Sequence, residues 1–191
     1  MAMAAIDAFF SWTEHIFIHI AILNSSITTG EDFAALSGAE WDVKFRRALD
    51  ISDSTMKGHF DGLIEIRRQL RNFVAHGAFG KDGETLHFHS SAGAVPVLLD
   101  VTEQGKKFSL GEGLEFDAEH AFDAIEKFIG HLSAGSRKPA WLYIQEFGLP
   151  LIMTMAQDGT YQKAMASPEA MEQFALDLAA RMDNAANMDW W

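Results

Sequence analysis

Cysteine is absent from this chain of 191 residues, which excludes disulfides, thiolate nucleophiles and cysteine-ligated metal. Proline is scarce, with four residues, and no proline-rich or other low-complexity tract divides the chain. Residues 1–191 therefore read as a single domain, long enough to bury a sizeable core. Positive charge is scarce too: 15 Lys and Arg against 27 Asp and Glu leave a net charge of −12. Such a protein is a poor general binder of nucleic acid, because neutralised phosphates supply most non-specific affinity. A clean apolar run of bilayer length is also missing, since Asp7, Glu14, His15 and His19 interrupt the first hydrophobic stretch. The opening residues carry Asp7 and no basic signal-peptide segment, so the expectation is a cytoplasmic protein with no membrane partner.

The few basic residues are gathered in one place. Residues 1–43 hold six acids and no Lys or Arg, residues 44–81 eight bases against four acids, and residues 82–191 seven bases against seventeen acids. The middle segment alone is basic, and it contains Arg46, Arg47, Arg67, Arg68 and Arg71. A local concentration of this kind answers part of the objection raised by the total charge, and a dimer that doubled it would answer more.

Apolar spacing gives the elements. Met3 to Asn24 is helix-compatible, and Ile16 to Leu23 is apolar nearly all round, the pattern of a central helix. Asn24 to Gly30 reads as helix exit and loop. Ser37 or Gly38 then opens a second helix with Trp41, Phe45 and Leu49 on one face, and the capping cluster Asp50 to Ser54 starts a third. In that third helix Met56, Phe60, Leu63, Ile64, Leu70 and Val74 recur every three or four residues, until Gly77. Beyond the Gly80-Lys81-Asp82-Gly83 turn, Thr85 to Ser90, Ala94 to Val101 and Phe108 to Leu110 predict a small antiparallel β insertion at about 84–110, with Pro96 in an edge strand. Asp117 caps the next helix, in which Phe122, Ile125, Phe128, Ile129 and Leu132 are expected to form the buried stripe, with Gly135 past its end. From about 139 to 191 follows a C-terminal helical extension. It has an aromatic stretch from Trp141 to Phe147, a last helix opened by Ser167-Pro168-Glu169, and Trp190 and Trp191 as candidate interface residues. The fold class is mainly α, a helical bundle with a small β insertion.

No metal or cofactor site emerges. His15 and His19 share a helical face, and His87 and His89 one face of a strand, but neither pair has a third ligand at useful spacing. The glycine-rich stretch Gly77 to Gly83 lacks the spacing of a phosphate loop.

The informative stretch is Arg67-Arg68-Gln69-Leu70-Arg71-Asn72-Phe73-Val74-Ala75-His76-Gly77, which sets three arginines, an asparagine and a histidine at the end of an apolar helix. Counting about 100° per residue from Phe60, Arg67 falls near 340° and Arg71 near 20°, in or beside the apolar stripe. A guanidinium there needs a carboxylate or another anion, and Glu14 on the first helix is the candidate partner for Arg67. Asn72 and His76, four residues apart, share a neighbouring polar face.

Arg71-Asn72-x-x-x-His76 resembles the motif of HEPN domains (higher eukaryotes and prokaryotes nucleotide-binding), in which four to six residues separate an arginine, followed by a polar residue, from a histidine. The Ala75-His76-Gly77 ending is common in that family, and the resemblance covers about residues 1–135. It implies a HEPN-like helical bundle and a metal-independent endoribonuclease, often a toxin or defence effector restrained by an antitoxin. It also implies a homodimer in which two copies of the motif meet. His76 would move the proton of the ribose 2′-hydroxyl and protonate the leaving 5′-oxygen, Arg71 would stabilise the charged phosphorane, and Asn72 would orient either one. Arg67 and Arg68 are candidate substrate contacts. Non-catalytic members, which bind nucleotide or a protein partner, offer the alternative.

Overall fold

The computed structural model describes residues 2–76, 85–90, 93–98 and 118–187, with the side chains of 72–76 and of both strands outside that description. Helix α1 (Ala2–Leu23) is the centre. Every residue from Ile16 to Leu23 except His19 is buried, because an apolar surface on all sides can be removed from water only by surrounding it. By length and composition this helix could cross a membrane, yet 56% of its apolar window is buried inside the fold. It serves here as a core helix. Asn24 ends it, and the Asn24 side-chain amide donates to the Ala48 carbonyl at 3.0 Å, tying the turn to the end of the third helix.

The stretch after this turn corrects the sequence reading. Helix α2 (Gly30–Ser37) precedes α3 (Trp41–Ala48), so Ser37 closes a helix and does not open one. Thr29 caps α2 by accepting the Asp32 amide, and Glu31 and Asp32 sit in its first turn, where acids favour the helix dipole. Only Leu36 is buried in α2, so eight residues carry too little apolar periodicity to be read as a helix. The consequence is that the motif lies on the fourth helix and not the third.

Helix α4 (Ser54–His76) begins where Asp53 accepts the amides of Thr55 and Met56 at 3.3 and 3.2 Å. It buries Met56, Phe60, Leu63, Ile66 and Leu70. These meet α1, α3 and α5 (Ala118–Leu132) in an aromatic centre of Phe10, Phe17, Trp41, Phe45, Phe60 and Phe128, while Phe122, expected on the buried stripe of α5, is exposed and Ala121 takes the inward place. Phe17 and Phe45 stand edge-on with ring centroids 5.1 Å apart, Phe10 and Trp41 at 5.5 Å, the geometry in which ring quadrupoles attract. Between α4 and α5, strands β1 (Thr85–Ser90) and β2 (Gly93–Leu98) pair antiparallel, with Thr85 opposite Leu98 and His87 opposite Pro96. Phe108 to Leu110, Asp117, Trp190 and Trp191 lie outside the described residues.

The C-terminal part is helical and more broken than its sequence suggests. After a 3₁₀ turn at Gly135–Arg137, α6 (Lys138–Trp141) runs into a π-helical segment, Leu142–Phe147, closed by Gly148 at φ +59°. Two short helices follow, α7 (Met153–Gln157) and α8 (Thr160–Ala164), and then α9 (Pro168–Ala186), capped as expected by the Ser167 hydroxyl. Tyr143 and Tyr161 are fully buried. The Tyr143 hydroxyl donates to the Pro150 carbonyl, and the Tyr161 oxygen accepts the Ile152 amide, each at 2.8 Å. Burial holds the Tyr143 phenol well above its ordinary range, so it stays a neutral donor. Ser25 donates to the Ala156 carbonyl and Gln157 to the Thr28 carbonyl, which fastens α7 to the turn after α1.

Candidate functional site

The motif helix is held to α1 and α3 by one carboxylate shared between two cations. Lys44 Nζ lies 2.7 Å from Glu14 Oε2, and an Arg67 terminal nitrogen 3.3 Å from Glu14 Oε1. The side chains are 6%, 20% and 31% exposed for Lys44, Arg67 and Glu14, so the cluster is largely removed from water. Glu14 is thus the partner of Arg67, as its place on α1 predicts. The Arg67 guanidinium also stands 5.9 Å from the Phe10 ring and 5.8 Å from the Trp41 ring, within cation–π range. Trp41 in turn donates its indole N–H to the Thr13 hydroxyl at 2.9 Å, and that hydroxyl donates to the Phe10 carbonyl at 2.9 Å. Burial and the neighbouring Arg71 charge pull Arg67 below its usual range, while Glu14, Glu40 and Asp42 push it back up.

Lys44 was not among the sequence candidates. The signal was there: Trp41 three residues before it and Ala48 four after are both inward-facing, which puts Lys44 on the buried stripe of α3. A lysine ammonium at that depth requires a carboxylate.

The other sequence candidates fall into three groups. Arg68 is exposed and forms a two-nitrogen contact with Glu65 one turn earlier, at 2.9 and 3.0 Å. Arg71, placed by angular count beside the apolar stripe, is exposed. One further turn along α4 carries it out of the Glu14 cluster. Asn72 and His76 belong to α4, which is helical through His76, while their side chains lie outside the described residues. On a regular helix five residues separate the Cα atoms of Arg71 and His76 by about 140° around the axis and about 7.5 Å along it. Arg46 lies over the Phe60 ring at 4.8 Å and 3.6 Å from Asp42, extending the basic side of α3. Among the described residues no group of three or more His, Asp or Glu side chains is placed to hold a metal ion.

At the opposite end of α4, His59 faces His131 of α5 with ring centroids 5.0 Å apart. His131 Nε2 is buried with no hydrogen-bond partner among the described residues, and its carbonyl accepts Arg137 Nε at 2.8 Å. Burial, above all, and the Arg137 charge hold both imidazoles below 6.5; His131 adds to the effect on His59, and Asp53 opposes it for both. A folded-state value below the unfolded one means that the fold prefers the neutral ring. That stability is present above about pH 6.5 and is lost as pH falls below it. The melting temperature is expected to drop between pH 7.5 and 5.5, and to drop less in the His59→Leu/His131→Leu double variant. Equal slopes in thermal melts would show that this joint is not what acid attacks.

No family model matches this chain, and no curated protein or solved structure matches it either.

Proposed function

We propose that the protein is a metal-independent endoribonuclease of the HEPN type, working as a cytoplasmic homodimer in a toxin or defence role under a protein antitoxin. The observation that carries this reading is the pattern Arg71-Asn72-x-x-x-His76 closing a 23-residue helix whose preceding arginine, Arg67, is held inward by Glu14 while Arg71 faces solvent. An inward arginine fixes the helix, and an outward one is free to meet a phosphate. A mainly helical chain with this motif late in a long helix suits the family's architecture.

In the reaction, one His76 takes the proton of a ribose 2′-hydroxyl. The 2′-oxygen attacks the adjacent phosphorus, the bond to the 5′-oxygen breaks, and a second His76 delivers a proton to the departing 5′-oxygen. The products are a 2′,3′-cyclic phosphate and a 5′-hydroxyl. Arg71 carries the fixed charge that a phosphorane requires, and Asn72 supplies amide hydrogen bonds. The angular separation of Arg71 and His76 within one helix argues for a cleft shared by two chains, each lending what the other cannot aim.

Cleavage is expected to proceed in EDTA, to leave 2′,3′-cyclic ends, and to stop when deoxyribose replaces the attacked ribose. Cutting of the deoxy-substituted strand at the same bond would remove the 2′-hydroxyl mechanism. The net charge of −12 favours a second reading, a non-catalytic module for a nucleotide or protein partner. Binding of RNA or nucleotide without cleavage by the wild-type dimer would establish it.

A further inference from the structure

A cavity of about 420 Å³ lies where the end of α1, the turn between α3 and α4, the 3₁₀ turn and the end of α8 meet. Ile20, Leu49, Met56, Ala140 and Met165 make its apolar wall, and no aromatic ring lines it. Asp50 and Asp53 reach it from the α3–α4 turn, Ser136 and Arg137 from the 3₁₀ turn. Asn24 lines it too, but its amide is spent on the Ala48 carbonyl and its oxygen on the Ser26 amide.

Arg137 is the unbalanced charge. Its Nε is fixed on the His131 carbonyl at 2.8 Å, and among the described residues no carboxylate pairs with its guanidinium, although two line the same cavity. His59 and His131 beside it are held neutral at pH 7 and supply no counter-charge. A half-buried guanidinium in that position favours an anion within its reach. Asp50 accepts the Ser52 amide and hydroxyl, and Asp53 the Thr55 and Met56 amides, one bond to each oxygen. Every oxygen keeps a second lone pair, so both exposed carboxylates can still accept from a cation.

These groups select the ligand. A divalent cation is opposed by Arg137 and finds no third acid or imidazole beside the two carboxylates. A phosphate dianion meets two carboxylates for one guanidinium, and a nucleobase finds no ring to stack on. A zwitterion satisfies both charges, and an unbranched or aliphatic side chain suits the wall. We propose that this cavity binds a free α-amino acid with an aliphatic or thioether side chain, its carboxylate on Arg137, its ammonium on Asp50 and Asp53, and its side chain against Ile20, Leu49 and Met56. The volume of about 420 Å³ falls within the roughly 300–1,000 Å³ of small-molecule pockets. The site lies at the opposite end of α4 from His76 and stands without the ribonuclease reading.

Equilibrium dialysis of the full chain against radiolabelled L-leucine and L-methionine tests it. Both are expected to be retained at millimolar concentration or below. Leucinamide, which lacks the carboxylate, and isocaproate, which lacks the ammonium, are each expected to compete at least roughly tenfold more weakly than unlabelled leucine. Asp53→Asn keeps a capping side chain while losing the charge. Combined with Asp50→Asn it is expected to weaken binding by a similar factor, as is Arg137→Gln, with circular-dichroism melts checking the fold. Retention of neither amino acid overturns the site, and so does competition by leucinamide or isocaproate equal to that of leucine. Should Arg137→Gln unfold the chain, the two analogues decide, because they are measured on the wild type.

Discussion

His76→Ala is expected to lower the rate of RNA cleavage by roughly 10²–10⁴-fold, the usual contribution of a positioned general acid or base. Because the one cleft shared by the two chains would use His76 from both of them, one substitution removes base and acid together, and the loss belongs at the upper end of that range. A mixed dimer of one His76→Ala chain and one wild-type chain keeps a single histidine in the shared cleft, and its activity is expected to fall between those of the two parents. Single-turnover rates on a defined RNA measure this. Wild-type rates in His76→Ala would end the assignment. Arg71→Ala should cost activity of the same order through loss of phosphorane stabilisation, since one preorganised donor is worth about 10²–10³-fold.

Glu14→Ala is expected to be the most destabilising single change in the cationic cluster, by about 3 kcal/mol, because it strands Lys44 and Arg67 together without a counter-charge. For a chain of this size that corresponds to roughly 6–12 °C in melting temperature. Arg67→Ala should cost less, since Lys44 continues to neutralise Glu14 at 2.7 Å. Arg71→Ala, on an exposed turn, should stay within about 0.5 kcal/mol. The order Glu14, Arg67, Arg71 in thermal melts supports the division between an inward arginine that fixes the helix and an outward one that acts. Equal losses for Arg67→Ala and Arg71→Ala would reject that division.

The long elements were legible because their apolar periodicity extends over several turns. Ile16 to Leu23, the stripe from Met56 to Leu70 and the capped start at Ser167 all lie where spacing and caps place them. The short ones were not. Helix α2 buries one side chain, and α7 and α8 are five residues each, so their positions are decided by contacts that no local window contains. Tyr161, for example, is buried against Tyr143 and Phe174, eighteen and thirteen positions away. In the site, the pairing of Glu14 with Arg67 followed from placing a guanidinium near a stripe that excludes water. Lys44 escaped because a lysine at the start of the basic segment reads as surface until Trp41 and Ala48 are used to set its direction. Arg71 was placed too deep, as an angular count treats the apolar stripe as equally covered along its whole length.

The attachment of α7 to the turn after α1 has a consequence for synthesis. The Ser25 hydroxyl finds its acceptor, Ala156, 131 positions later in the chain. At roughly 5–20 residues per second that interval is on the order of 10 s. For that time the apolar surface of α1 is on or outside the ribosome before the segment that fastens its end has been made. Binding of nascent chains by chaperones is therefore expected to begin with α1 and to end once α7 has emerged. A chain truncated before Met153 should remain chaperone-bound longer than one ending after Ala164.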